Sequence, residues 1–117
     1  MKQKELNDFM REYFDPYKKR LPGQIVHDPG TTKEHRRLVI EVCEWAHEHG
    51  YTFFTRVFLK EGKIVDVVIP GLPYPLIEVR HSEKKKEKLY LEKYEAMTLF
   101  VDVDDPYKLT WGMINGR

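Results

Sequence analysis

The segment Lys63 to Arg80, KIVDVVIPGLPYPLIEVR, constrains this chain more than any other. Two runs of strong strand formers, Ile64 to Ile69 and Leu76 to Val79, flank a Pro-Gly-Leu-Pro-Tyr-Pro connection. Val and Ile favour extended backbone while Pro and Gly favour turns, so the segment reads as a β-hairpin with a short rigid loop. Three charges sit within these runs or directly after them. Asp66 interrupts an otherwise apolar strand, and Glu78 and Arg80, two residues apart, project from one face of the second strand. An ionised side chain in a near-continuous Val/Ile strand must be paired, solvated at an open edge or bound to a metal.

The flanking sequence supplies the layers such a hairpin needs. Leu6, Phe9, Met10, Tyr13 and Phe14 recur at helical spacing, which predicts a short amphipathic helix from about Lys4 to Asp15, stopped by Pro16. Its aromatic face must pack either on its own domain or on a second copy of the chain. From Tyr17 to Gly30 the Pro, Gly and Lys/Arg content marks an irregular connection. Thr31 or Thr32 caps a main helix from Lys33 to about His49, ended by Gly50, with Leu38, Val39, Val42, Trp45 and Ala46 as its buried stripe and Glu34 and Glu41 at or near the border.

Tyr51 to Leu59 alternates Phe53, Thr55, Val57 and Leu59 against Phe54, Arg56 and Phe58, a strand that Glu61-Gly62 turns back into the one carrying Asp66. Ser82 caps a Lys-rich helix from Glu83 to about Glu95. Leu99 to Val103 is a fourth strand, Asp104-Asp105-Pro106 a turn, and Tyr107 to Trp111 a candidate fifth strand. The fold class is therefore α/β, a mixed sheet with helices on both faces and an extra N-terminal helix.

At 117 residues the chain has room for one domain, 1–117, with residues 1–30 as the N-terminal helix and connection and 31–117 as the core. A content of 41% hydrophobic and 33% charged residues excludes a mainly disordered chain. No apolar run approaches the length of a membrane span and MKQKELNDF lacks a signal-peptide core, so no membrane partner and a cytoplasmic location are expected. A lone Cys43 excludes an internal disulfide and a multi-cysteine zinc site. It lies within a helix with no acid-base partner in view and is expected to be inert. The net charge of +1 argues against coating nucleic acid by charge alone. A localised basic face remains open, from Lys18-Lys19-Arg20, Arg36-Arg37 or Lys84-Lys85-Lys86.

Neighbouring strands lie about 5 Å apart, so Asp66 and Glu78 on hairpin partners converge. Two carboxylates so placed repel unless a cation or a proton lies between them. A hard divalent ion with oxygen ligands, Mg²⁺ or Mn²⁺, suits such a site, with water and a substrate phosphate completing its shell. Arg80 then sets a fixed positive charge beside the ion, which suits the developing charge of phosphodiester hydrolysis.

Asp66, eleven intervening residues, Glu78, one residue and Arg80 on a strand hairpin resembles the PD-(D/E)XK nuclease superfamily, the restriction-endonuclease-like fold. The predicted helix-strand-strand-strand-helix-strand order over about Thr31 to Val103 is similar to its core. In size the chain is similar to small archaeal Holliday-junction resolvases and to short nucleases of archaeal viruses. The resemblance implies Asp66 and Glu78 as metal ligands, the Val79 carbonyl as a third, and a helix carboxylate, Glu34 or else Glu41; Lys33-Glu34-His35 followed by Leu38-Val39 looks like the start of that helix.

The departure is Arg80, where the family usually has Lys. Arginine holds a phosphate but cannot act as a general base. That role then falls to the metal's own water, to Glu34, or to Lys84, Lys85 or Lys88; His81 is the histidine placed near the site. Arg36, Arg37, Lys84 and Lys85 are the candidate DNA contacts. The expected function is a Mg²⁺- or Mn²⁺-dependent endonuclease acting on duplex or branched DNA as a homodimer, since cutting both strands symmetrically takes two sites. The alternative is a catalytically inactive nuclease-fold module that binds nucleic acid or protein, and a third reading is a structural homodimer organised by the N-terminal helix.

Overall fold

A computed structural model describes residues 2–80 and 92–103. Its elements are α1 (Gln3–Tyr13), α2 (Lys33–Glu48), β1 (Phe54–Phe58), β2 (Ile64–Val68), β3 (Leu76–Arg80), α3 (Glu92–Glu95) and β4 (Thr98–Asp102). The strands form a mixed sheet in the order β1-β2-β3-β4. β1 and β2, and β2 and β3, pair antiparallel, whereas β4 runs parallel to β3. Parallel pairing requires a crossover, here residues 81–97. The expected turn at 104–106, the strand at 107–111 and most of the Lys-rich helix, with His81, Lys84, Lys85 and Lys88, lie outside the described residues. Among the described residues no helix is long and apolar enough to cross a membrane.

Each face of the sheet carries its own core. On one, Leu38, Val39, Val42, Trp45 and Ala46 of α2 pack against Phe53, Val67, Ile69, Ile77, Val79, Leu99 and Val101. The ends of α2 follow from its sequence. The Thr32 hydroxyl accepts the His35 N–H at 3.2 Å, satisfying a donor that the helix start leaves unpaired. At the other end Gly50 takes a left-handed φ of 77°. Gly50 N–H then donates to the His47 carbonyl and Tyr51 N–H to the Ala46 carbonyl, a Schellman closure.

On the opposite face Leu6 and Phe14 pack with Phe54, Val57, Leu59, Val65, Val68, Leu76 and Tyr94. Phe14 meets Phe54 edge-on, with ring centroids 5.1 Å apart. The aromatic face of α1 therefore packs on its own sheet, the first of the two expected alternatives. Tyr94 is fully buried and donates to Glu61 Oε2 at 2.7 Å; burial first, and this bond second, push its pKa up. Glu61 and Gly62, between β1 and β2, both have positive φ, which suits a tight antiparallel return.

The expected alternation along β1 is broken at one residue. Phe53 faces α2, but Phe54, Val57 and Leu59 all face α1, so Val57 and Leu59 lie opposite to Phe53 instead of beside it. The cause is Arg56, whose φ of 45° lies in the left-handed region and rotates the strand between Thr55 and Val57. β2 changes phase at the matching position. Val65 and Val68 face α1 while Val67 faces α2, with Asp66 at the switch. Because both strands turn together, the pairs Thr55↔Val67 and Val57↔Val65 stay in register.

The chain before α2 lies along the outer edge of β1. Asp15 N–H donates to the Phe58 carbonyl at 2.9 Å and Gly23 N–H to the Phe53 carbonyl at 2.8 Å. Arg20 Nε donates to the Arg56 carbonyl at 3.0 Å. The buried Thr55 hydroxyl donates to the Gln24 carbonyl and accepts the Val26 N–H, both at 2.7 Å. This connection is irregular in secondary structure yet held at fixed points.

Candidate active site at the opening of the β2–β3 ladder

The β2–β3 pairing runs Val68↔Leu76, Val67↔Ile77 and stops. The next pair in register is Asp66 opposite Glu78, and there the side chains replace the main-chain partners. Asp66 N–H donates to Glu78 Oε1 at 2.9 Å, and Val79 N–H donates to Asp66 Oδ2 at 2.8 Å. A buried N–H left without an acceptor is costly, so the two carboxylates stabilise the very opening that makes room for them.

The carboxylates enter this opening from different sides of the sheet. Leu76 belongs to the α1-side core, and Glu78 shares its side by strand alternation. Asp66 instead meets α2, where His35 Nε2 lies 3.3 Å from Asp66 Oδ2. On the Glu78 side, Lys63 Nζ lies 3.4 Å from Oε2. Each carboxylate thus has a basic partner, a histidine for Asp66 and a lysine for Glu78. The His35 pKa is raised, first by its hydrogen bond to Asp66, against a smaller opposing effect of burial; the charges of Asp66 and Glu78 and the Val79 backbone add to the rise. His35 Nδ1 is buried and has no hydrogen-bond partner among the described residues.

The residues singled out from sequence fall into two groups. Asp66, Glu78 and Val79 come together, Val79 through its N–H. Glu34 and Glu41 are exposed on α2, and the helix side chain that reaches Asp66 is His35. One residue along a helix is a rotation of about 100°, and His35 stands three and four positions before Leu38 and Val39, on the buried face. That spacing was the signal for it. Arg80 turns to β4, with Nε 3.2 Å from Asp102 Oδ1 and its guanidinium 4.5 Å above the Phe100 ring. Arg36 donates to the Thr31 carbonyl and Arg37 is exposed. Lys63 gave no sequence signal, because its role depends on the ladder opening beside it. Cys43 is buried and its thiol is pushed up to about 12, mainly by burial.

Among the described residues no group of three His, Cys, Asp or Glu side chains is placed to hold a metal ion. Asp66 and Glu78 approach the opening from different sides instead of converging as expected, yet a hard ion that keeps several waters needs only one or two protein ligands. Asp66 Oδ1 carries no hydrogen bond among the described residues and is available to such an ion. Comparison with family models, curated proteins and solved structures found no match to this chain.

Proposed function

We propose that this chain is a divalent-metal-dependent nuclease of the restriction-endonuclease-like type, acting on DNA phosphodiesters with Asp66 and Glu78 as the residues that hold Mg²⁺ or Mn²⁺. The observation that carries the reading is the exchange at the ladder opening, where each carboxylate accepts a backbone N–H from the other's strand. The element order around it, with β4 returning parallel to β3, supports the same reading.

When bound, the ion supplies charge neutralisation at the phosphate and a more acidic water. The protein's own residues orient the site. The Val79 N–H and His35 fix the Asp66 carboxylate, and the Asp66 N–H fixes Glu78. Arg80 is committed to Asp102 and Phe100, so Lys63 is the amine closer to the family's lysine role. Unlike a guanidinium, an amine can lose its proton when its surroundings disfavour the charge.

The test is cleavage of supercoiled plasmid and of a four-way junction in Mg²⁺ and in Mn²⁺. Nicking by the wild type that Asp66→Ala and Glu78→Ala both remove supports the reading, with Lys63→Ala slowing the reaction more than Arg80→Ala. No cleavage of either substrate, with no ion binding by calorimetric titration, overturns it. The inactive binding module is the second reading, favoured by one observation: both carboxylates already have basic partners from the chain itself, His35 and Lys63.

A further inference from the structure

The Phe58 ring gathers three cations. Lys18 Nζ lies 4.8 Å from its centroid, and the guanidinium carbons of Arg20 and Arg56 each lie 5.8 Å away. Aromatic rings attract cations, but three like charges around one ring also repel each other. One acidic group offsets this in part: Asp28 Oδ2 forms an ion pair with Arg56 Nε at 3.9 Å, beyond hydrogen-bond distance, while Asp15 Oδ1 accepts the Tyr17 N–H. Arg56 Nε is therefore buried with no hydrogen-bond partner among the described residues.

Arg56 also belongs to a second feature. With His27, Asp28, His35, Ile64 and Asp66 it lines a small cleft beside the ladder opening. Ile64 is the cross-strand partner of Phe58, so the cation cluster and the cleft adjoin across one pair of the sheet. The Arg56 backbone is held in its left-handed conformation with its carbonyl accepting from Arg20, so one cation positions the next. A bulky residue at positive φ is a cost that persists where its placement is fixed by its surroundings.

We propose that this chain binds the phosphate backbone of DNA along a strip formed by Lys18, Arg20 and Arg56 around Phe58, which leads over Arg56 into the cleft beside Asp66. The identity of the polyanion rests on the nuclease reading, while the strip itself rests on the geometry of Phe58 and its cations. With a net charge of only +1, affinity for a polyanion has to come from a local cluster. The strip makes use of the Lys18-Lys19-Arg20 run and leaves Arg37, on α2, outside the interface.

The test is fluorescence anisotropy of the full chain with a short labelled duplex in EDTA, over a range of salt concentrations. Lys18→Gln and Arg56→Gln should each reduce the slope of log affinity against log salt by about 0.9, the value for one lost phosphate contact, and the double variant by about twice that. Arg37→Gln should leave the slope unchanged. Lys18 is exposed, so Lys18→Gln alone decides the matter if thermal melting shows that Arg56→Gln is not folded. No binding by the wild type, slopes equal to the wild type, or an equal fall for Arg37→Gln would each overturn the proposal. EDTA separates the two readings, because a failure here concerns the strip and leaves metal-dependent cleavage to be decided by the Asp66→Ala and Glu78→Ala comparison.

Discussion

Two halves of the same strand pair, β2 and β3, differ across a single residue step. At Val67↔Ile77 and Val68↔Leu76 the side chains are fully buried on both faces and the backbone ladder is regular. One step further, at Asp66 and Glu78, the side chains are only partly buried and the carboxylates hold the N–H groups that the ladder has released. The closed half gains its stability from apolar area on both faces, which no ion alters. The open half is held by charged acceptors whose strength depends on what else approaches them. A hairpin can therefore keep stability and chemistry at adjacent positions, provided the acidic side chains can satisfy the backbone they interrupt.

The largest effect expected on this contrast comes from the closed half. Ile77→Ala removes a fully buried side chain and should cost about 2–5 kcal/mol by denaturant unfolding. A loss comparable to that of an exposed position would break the comparison. Next is Thr55→Val, which leaves the Gln24 carbonyl and Val26 N–H without their shared partner and so loosens the wall of the cleft at the open half. About 1–3 kcal/mol should be lost.

Glu78→Gln should be milder in EDTA, costing about 1 kcal/mol, because an amide oxygen still accepts the Asp66 N–H while the Lys63 ion pair is lost. The same variant should lose the rise in melting temperature that Mg²⁺ or Mn²⁺ gives the wild type, since an ion that binds the native state stabilises it. A rise of equal size in the variant would move the ion away from Glu78. The smallest effect is a pH dependence. The folded-state pKa of His35 is raised by Asp66, so its contribution is fully present below the unfolded value of about 6.5 and is lost as pH rises through the folded value. In EDTA, the melting-temperature gap between wild type and His35→Gln should be wider at acid than at alkaline pH; a gap that widens on going alkaline would show that His35 is not held as a cation.

Much of this was legible in the sequence because periodicity carries it. The α2 stripe from Leu38 to Ala46, its cap at Thr32 and its end at Gly50 all follow from helical spacing and end-residue chemistry, and the strands lie within a few residues of their expected limits. The adjacency of Asp66 and Glu78 followed from hairpin length. Three things did not follow. The phase change at Arg56 is a backbone state of a residue type that rarely adopts it, so side-chain pattern alone pointed the wrong way for Val57 and Leu59. The spacing of His35 from Leu38 and Val39 places it on the buried face, but that it and not Glu34 reaches Asp66 depends on the angle at which α2 packs on the sheet. The turn of Arg80 to Asp102 depended on a parallel pairing between segments distant in sequence.

The bonds that fasten residues 14–26 to β1 also bear on how copies of this chain meet. An edge strand ordinarily offers a row of open carbonyls and amides to any other strand, and growth of one sheet into another begins there. Here the outward carbonyls of Phe53, Arg56 and Phe58 are already occupied by the same chain, and Phe14 bridges to Leu59. Extension of the sheet across this side would first require peeling away that segment, including Arg20. Self-association by strand addition is therefore blocked at β1, and loosening the segment, for instance by Thr55→Val, should expose the molecule to aggregation before it costs the core its fold.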